Sequence, residues 1–195
     1  MTRQSFSITP LSGCQRDGSN AFTYSRFLVP YLCDFQGTAI FLDGSDMLMR
    51  SDVSELAALA DPQFAVQVVQ HSYRPLHTRK YIGTTMEAPN AEYPRKNWSS
   101  VILWNCEHHS NRWLTPEAVQ TATGPALHRF SWLPPNQIGA LPSDWNHIVG
   151  EPQYAKIAHF TLGIPSIPHY QDCAYAEEWR RMQALALQSP LERTE

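Results

Sequence analysis

Short apolar runs separated by polar, turn-prone residues dominate the pattern of this chain. Three continuous runs, at 38–42 (TAIFL), 64–69 (FAVQVV) and 100–104 (SVILW), are typical of strands buried on both faces. Two further strands are predicted, at 5–11 and at 156–160 (KIAHF). Each of these runs is too short for a membrane-spanning helix, which needs about 20 apolar residues.

Helical spacing of apolar residues appears between these runs. Residues 24–35 carry it, with Pro30 expected to start or kink the helix. Asp52 with Glu55 predicts a capped helix start, and Thr115 followed by Pro116 predicts another.

A closing helix is predicted at 173–188, most clearly over 175–187. Its inward face should hold one aromatic and aliphatic stripe, formed by Tyr175, Trp179, Met182 and Ala186.

The alternation of strands and helices predicts an α/β fold, with a mixed but mostly parallel sheet flanked by helices. We expect one domain over residues 1–195, with its core at 5–165. Ligands of such sheets bind beyond the carboxyl ends of the strands. The residues after 38–42 and after 156–160 are therefore the first places to look for a site.

The amino-acid composition narrows the classes of function that this protein can have. The chain has 195 residues, of which 43% are hydrophobic and 17% charged, which excludes a disordered protein. A net charge of −3 with scattered cations argues against nucleic acid as a partner. The first residues lack the apolar core of a signal peptide, and the four cysteines form no CxxC pair. We expect a cytoplasmic protein that is not transmembrane and has free thiols.

Two carboxylates follow the first central run, in the segment Asp43-Gly44-Ser45-Asp46. Carboxylates at the end of a buried strand can converge on one divalent cation, and oxygen ligands suit Mg²⁺ or Mn²⁺. The alternative is an ordinary surface turn, because Asp-Gly is turn-prone.

His159 is a second candidate, since it stands in the late apolar strand IAHF. A lone histidine on such a strand is commonly a core residue with satisfied hydrogen bonds. Together with two carboxylates, however, an imidazole makes a set that suits Mn²⁺.

Five segments in the same order resemble those of GT-A glycosyltransferases, in particular glycosyltransferase family 8 and related bacterial sugar transferases. The segments are the Arg-containing helix at 24–30 (YSRFLVP), the DxD-like strand end at 41–56 (FLDGSDMLMRSDVSEL), an asparagine-led strand at 97–105 (NWSSVILWN), an LP-x-x-W-N stretch at 141–146 (LPSDWN) and an HF-x-G-like motif at 158–163 (AHFTLG).

This resemblance implies transfer of a sugar from a nucleotide-diphosphate sugar, most often a UDP-sugar, to an acceptor hydroxyl on a glycan or another molecule. It implies Mn²⁺ or Mg²⁺ held by Asp43, Asp46 and His159, and retention of the anomeric configuration. It also places Arg26 and Asn97 on the donor sugar.

The chain departs from the family pattern in its acidic motif, which is one residue longer, so that Gly44 must allow a bulge. The lysine that often follows HF-x-G is also absent, since residues 164–168 read IPSIP. The donor's phosphate charge is then expected to be met by the metal or by Lys96, Arg95 or Lys80. The residues nearest to the family's acidic-plus-glutamine pair beside the anomeric carbon are Asn136 and Gln137, which become the catalytic candidates.

Two other readings stay open. The chain resembles the fold from its second strand onward, so it can be a non-catalytic GT-A-like domain or fragment that binds a glycan or a partner protein. An uncovered sheet edge would then favour a homo-oligomer. A metal-dependent phosphohydrolase using the same acids is the third reading.

Overall fold

The computed structural model describes residues 7–9, 23–72, 74–151 and 154–188. Its strands are β1 (Thr38–Leu42), β2 (Met47–Met49), β3 (Val66–Val68), β4 (Arg79–Lys80), β5 (Ala88–Pro89), β6 (Val101–Asn105), β7 (Ile138–Ala140), β8 (His147–Ile148) and β9 (Ile157–His159). Its α-helices are α1 (Val29–Leu32), α2 (Val53–Ala57), α3 (Pro116–Thr121), α4 (Gly124–His128) and α5 (Ala176–Gln188). Short 3₁₀ helices lie at Ser25–Leu28, Trp98–Ser100, His109–Trp113, Pro135–Gln137, Ser143–Asn146 and Pro168–Tyr170.

Elements with strong local signals occur where the pattern predicts them. The three central apolar runs become β1, β3 and β6, and the late run becomes β9. The helix starts are also confirmed, because the carboxylate of Asp52 accepts a hydrogen bond from Ser54 N and the hydroxyl of Thr115 accepts one from Ala118 N. Of the strand predicted at 5–11, residues 7–9 are exposed without strand structure, and the others lie outside the described residues.

The mixed α/β class is confirmed, but the expectation of a mostly parallel sheet is wrong. The main sheet has the order β1-β6-β3-β7, in which β6 is antiparallel to both of its neighbours and only β3 and β7 are parallel. A second sheet, β2-β9-β8, has one antiparallel and one parallel pair. Continuous apolar runs report burial on both faces, and burial does not set the direction of a strand.

Strand β6 shows why these runs are apolar throughout. Ile102 and Trp104 point into a core that also receives α1, α3 and α4, while Val101 and Leu103 point into a core with α2 and β9. Side chains alternate between the two faces of a strand, so a strand covered on both sides needs no polar position.

The C-terminal helix α5 packs only through its beginning. Ala176 is buried, and Tyr175 and Trp179 pack against the core that contains Leu48. Met182 is 44% exposed, so the predicted inward stripe is wrong beyond the first turns. No described helix, α5 included, is long and apolar enough to cross a membrane.

One edge of the main sheet carries Asp43, and the second sheet brings Asp46 and His159 to the same edge. β1, β3 and β7 end at this edge and β6 begins there, as shown by hydrogen bonds from Asp43 N to Ser100 O (2.9 Å) and from Leu141 N to Val68 O (2.8 Å). The second sheet joins the same edge, because β2 follows Asp46 directly and pairs Met47 with His159.

Candidate functional site

The two carboxylates after β1 are held in different surroundings. Gly44 has φ of 86°, which is unfavourable for a residue with a side chain, and its carbonyl accepts a hydrogen bond from Met47 N. This turn gives Asp43 and Asp46 different partners, although they stand three positions apart. The carbonyl of Asp46 accepts a hydrogen bond from Phe160 N (2.8 Å), which ties the turn to the end of β9.

Asp43 forms a two-pronged ion pair with Arg26. The guanidinium donates from Nη2 to Oδ1 of Asp43 (2.8 Å) and from Nη1 to Oδ2 (3.2 Å). It also donates to the carbonyl oxygens of Ser99 and Thr23, each at 2.8 Å. Arg26 is only 4% exposed, so these bonds replace most of its hydration. The resemblance places Arg26 on a sugar and Asp43 on a metal, but here each is engaged mainly by the other.

Asp46 and His159 form the second pair, with Oδ2 of Asp46 3.4 Å from Nε2 of His159. The other imidazole nitrogen, Nδ1, lies 2.9 Å from Oδ1 of Asn146. The orientation of this amide follows from its Nδ2, which donates to the carbonyl of Asn97 (3.0 Å). Nδ1 of His159 therefore carries the proton, and in the neutral imidazole Nε2 presents a lone pair to Asp46.

This arrangement leaves electron pairs without donors. Oδ1 of Asp46 is buried and has no hydrogen-bond partner, and Oδ2 lies 3.4 Å from Nε2 of His159. A second residue that fixes the tautomer of a ligating histidine is the usual support of a metal site. Asp46 and His159 therefore fit a divalent cation as two of its ligands.

The predicted three-residue set of Asp43, Asp46 and His159 is not assembled, because Asp43 is occupied by Arg26. Within the described ranges, no group of three or more His, Cys, Asp or Glu side chains is arranged to hold a metal ion. Further ligands would have to come from a bound molecule or from solvent, as is common for Mg²⁺ and Mn²⁺.

Asn97 and Lys96 stand next to each other but differ in availability. Asn97 has φ of 65°, and its side-chain Nδ2 is buried without a hydrogen-bond partner. The ammonium of Lys96 donates to Oδ1 of Asn90 (2.5 Å) and to the carbonyl of Ala91 (2.6 Å). Burial, and then the charge of Lys80, lower the pKa of Lys96. Asn97 is therefore an unused donor at this edge, whereas Lys96 is committed to its own loop.

Asn136 and Gln137 lie at the wrong end of the sheet for the catalytic role. They precede β7, and the carbonyl of Gln137 accepts a hydrogen bond from Ala65 N, level with Asn105. Asp43 is level with Ser100, and five residues of β6 separate the two levels, which is roughly 17 Å at about 3.4 Å per residue. The side chain of Gln137 instead accepts a hydrogen bond from the hydroxyl of Ser110 (2.7 Å). The order of motifs along the sequence does not tell at which end of the sheet a residue lies. Because β7 is parallel to β3, the residues before it lie at the edge opposite Asp43.

The sequence reasoning missed His71, two residues after the apolar run that becomes β3. Its Nε2 is buried without a partner, and its carbonyl accepts a hydrogen bond from the indole of Trp98 (3.0 Å). Burial, followed by the charges of His159 and His147, lowers the pKa of His71 to about 4, so the ring is neutral at physiological pH. Its position at a strand's carboxyl end is the same signal that singled out Asp43.

Tyr81 was also missed, and its backbone N–H donates to the carbonyl of Leu162 (2.7 Å), three residues after His159. Burial, followed by the charges of Asp46 and Asp43, raises the pKa of Tyr81 to about 12. Its hydroxyl is therefore a stable hydrogen-bond donor at the site. No pattern in the sequence marks it, because it comes from the β4–β5 hairpin, far from every motif.

Comparison with known proteins found a relative among the curated proteins. The chain is 43% identical over 169 residues to the protein named Protein CDI of Arabidopsis thaliana, and the alignment covers 83% of this chain. The chain spans 63% of the length of that relative. No family model matches the chain. No solved structure matches it significantly either. The relative's name states no activity, so the chemistry has to be argued from the site.

Proposed function

We propose that the protein is a metal-dependent glycosyltransferase that moves a sugar from a nucleotide-diphosphate sugar to an acceptor hydroxyl. The observation that carries the proposal is the Asp46–His159 pair. Its carboxylate has an unpartnered buried oxygen, and its imidazole is fixed by Asn146 with Nε2 directed at that carboxylate. Five ordered segments that resemble a GT-A glycosyltransferase, and a mixed sheet with the pair at its edge, support the same reading.

Asp46 and His159 would hold Mn²⁺ or Mg²⁺, which as a Lewis acid stabilises the negative charge of a nucleoside-diphosphate leaving group. Asn146 keeps the imidazole oriented, because its Oδ1 accepts a hydrogen bond from Nδ1 of His159 and its Nδ2 donates one to the carbonyl of Asn97. His159 is 3% exposed, so water competes little for its lone pair.

Asn97 would bind the donor sugar through its unpartnered amide nitrogen. Arg26 acts through Asp43 and the carbonyl of Ser99, fixing the end of β1 against the start of β6. Its part is therefore to position the site, and a direct sugar contact would be limited to the guanidinium N–H that these bonds leave over. A UDP-sugar donor and retention of configuration are further expectations of the resemblance.

The test is donor hydrolysis and Mn²⁺ binding, measured with a panel of nucleotide sugars. Asp46→Asn and His159→Ala should each lower the hydrolysis rate by 100-fold or more and abolish Mn²⁺ binding measured by calorimetry. Asp172→Asn and His169→Ala are matched controls, because both residues lie in the exposed segment before α5. An Asp46→Asn protein as active as wild type would refute the proposal.

A second candidate is a GT-A-like domain that binds a glycan or a partner without transferring a sugar. The observation that favours it is the occupation of Asp43 by Arg26, together with the distance of Asn136 and Gln137 from the site. Donor binding without turnover for every nucleotide sugar, in a folded protein, would support this candidate over the first.

A further inference from the structure

Strand β1 has the sequence of a central strand but stands at an edge of the main sheet. Its five residues, TAIFL, include no charged residue and no proline. In the order β1-β6-β3-β7 it pairs with β6 on one side, and no described strand pairs with it on the other. Ile40 and Leu42 are consequently half-buried, whereas residues 101–104 of β6 are all buried. An apolar strand of this kind is fully buried only when a second strand covers its free edge.

The opposite edge strand of the sheet is protected in a way that β1 is not. β7 has three residues, one of which is Gly139. Sheet edges in natural proteins are commonly blunted by short strands, charged side chains, proline or bulges. β1 carries none of these devices, and its register with β6 runs from Thr38 to Leu42 without a bulge. Its free edge is therefore open to pairing with another strand.

The hydrogen bonds to β6 show which backbone groups of β1 point to the free edge. Asp43 N donates to the residue before β6, and the carbonyl of Gly37 accepts from the residue after β6, each at 2.9 Å. Bonded and non-bonded positions alternate along an antiparallel ladder, so every second residue between these two also bonds to β6. The remaining positions turn their N–H and C=O groups to the free edge, and among the described residues none bonds to these groups. These edge residues are Thr38, Ile40 and Leu42.

The edge residues are symmetric about Ile40, which makes the edge complementary to itself. When β1 of a second copy lies antiparallel with the two Ile40 residues opposite each other, Thr38 of each copy lies opposite Leu42 of the other. Opposite residues at bonded positions of such a ladder exchange two hydrogen bonds. Every outward N–H of one copy therefore meets an outward C=O of the other.

The side chains of this register are complementary as well. Ala39 lies opposite Phe41 of the second copy, so that a small side chain meets a large one. Asp43 lies opposite Gly37, and its charge is balanced by Arg26 of its own chain. Like charges, which destabilise directly opposite positions of a sheet, are thus absent from the paired strands.

Helix α1 adds apolar surface beside this edge. It contacts β1 and packs on the face of the sheet that carries Phe41. Its Tyr31 and Leu32 are 43% and 56% exposed. A two-fold axis perpendicular to the sheet brings the α1 helices of both copies to the same face, where these side chains can cover one another.

We propose that β1 is a homodimer interface, in which the β1 strands of two copies pair antiparallel about Ile40 and join their two main sheets into one continuous sheet. Such a contact uses the same surface on both copies and is closed, so it covers both β1 edges and does not lead to fibres. Neither a metal ion nor a donor sugar takes part, so dimerisation can be measured apart from the proposed function.

Sedimentation equilibrium of the full chain, over a hundredfold range of concentration, should show a monomer–dimer equilibrium. Ile40→Pro removes the central outward N–H but no hydrogen bond to β6, and should weaken dimerisation by a hundredfold or more. Thr38→Pro removes an outward N–H at the end of the paired stretch and should weaken it by tenfold or more. Thr38→Ala is the matched control, because it keeps the N–H, and its dissociation constant should stay within twofold of wild type.

Hydrogen exchange of the wild-type protein, followed by NMR, gives a second measurement that does not depend on how well the proline variants fold. In the dimer, the amides of Thr38, Ile40 and Leu42 should exchange as slowly as the amide of Phe41, which bonds to β6 in either state. Dilution to the monomer should speed exchange at the three edge residues by tenfold or more and leave Phe41 unchanged.

Three results would overturn the proposal. The first is a protein that stays monomeric at every concentration. The second is a dimer that Ile40→Pro and Thr38→Pro leave as tight as wild type, because another surface then pairs. The third is slow exchange of the three edge amides in a monomer, which would show that another segment of the same chain covers the edge.

Discussion

Replacement by asparagine should affect a different property at each of the two acidic residues after β1. Asp43→Asn removes the charge that balances Arg26, whose side chain is buried and held by four hydrogen bonds. Asp46→Asn removes a carboxylate that lies 3.4 Å from Nε2 of His159 and has an unpartnered oxygen. We therefore expect Asp43→Asn to damage stability and Asp46→Asn to damage cation binding.

The magnitude follows from burial. Removing one partner of a buried ion pair costs about 3–5 kcal/mol. The side chain of Asp43 is 20% exposed and asparagine keeps one acceptor oxygen, so the lower end of this range, about 3 kcal/mol, applies. With a urea m-value of about 2 kcal/mol/M, the unfolding midpoint should fall by about 1.5 M. Asp46→Asn should change the free energy of unfolding by less than about 1 kcal/mol, because it keeps the shape of the side chain and Oδ1 has no hydrogen-bond partner to lose.

Urea unfolding followed by tryptophan fluorescence measures the first effect, and Mn²⁺ calorimetry measures the second. The double variant Arg26→Met/Asp43→Leu should be more stable than Asp43→Asn, because it leaves no buried charge without a partner. A midpoint of Asp43→Asn within 0.5 M of wild type, or loss of Mn²⁺ binding in Asp43→Asn without loss of stability, would refute this account of the pair.

Three further predictions test other parts of the structure. Burial and the charge of Arg26 lower the pKa of His128 from 6.5 to about 4, so the unfolded chain binds more protons than the folded one between these values. His128 alone should thus lower the stability by up to about 2 kcal/mol between pH 7 and pH 5, and His128→Gln should flatten this part of a urea-midpoint profile. Gln137→Ala should leave donor hydrolysis within twofold of wild type, at a stability cost of about 1 kcal/mol from its lost hydrogen bond, and a tenfold loss of rate would restore a catalytic role. Gly163→Ala should displace the Tyr170 ring and cost about 1–3 kcal/mol in urea unfolding, and an unchanged midpoint would contradict the close packing of Tyr170 on Gly163.

The elements that the sequence predicted are those whose signals are local. The apolar run that becomes β6 is buried on both faces, and the caps at Asp52 and Thr115 lie within three residues of the groups they bind. Strands β2 and β8 have only three and two residues, and the β9 partner of β2 is remote in the sequence. Nothing within such short segments indicates pairing, and nothing in a buried run indicates whether its neighbour is parallel.

The same difference between local and long-range signals explains which residues of the candidate site could be predicted. Asp46 and His159 were singled out from their places at strand ends, and the structure brings them together. The pairing of Arg26 with Asp43 was missed, because choosing between an ion pair and a metal ligand requires knowing which long side chain reaches the carboxylate. Asn136 and Gln137 were misplaced because a motif's order does not tell at which edge of the sheet its residues emerge.

The pairing of β2 with β9 has a consequence for synthesis of the chain on the ribosome. Asp46 stands in the first quarter of the sequence and His159 in the last quarter, yet Met47 is the register partner of His159. The main sheet can begin to form once β6 has emerged from the exit tunnel, but the second sheet must wait for β9. During that interval Asp46 is exposed, and its carboxylate has neither its imidazole neighbour nor the bond from Phe160 N. Metal binding at this pair would therefore be a late event in biogenesis, and a nascent chain stalled before β9 should fold its first core without acquiring the ion.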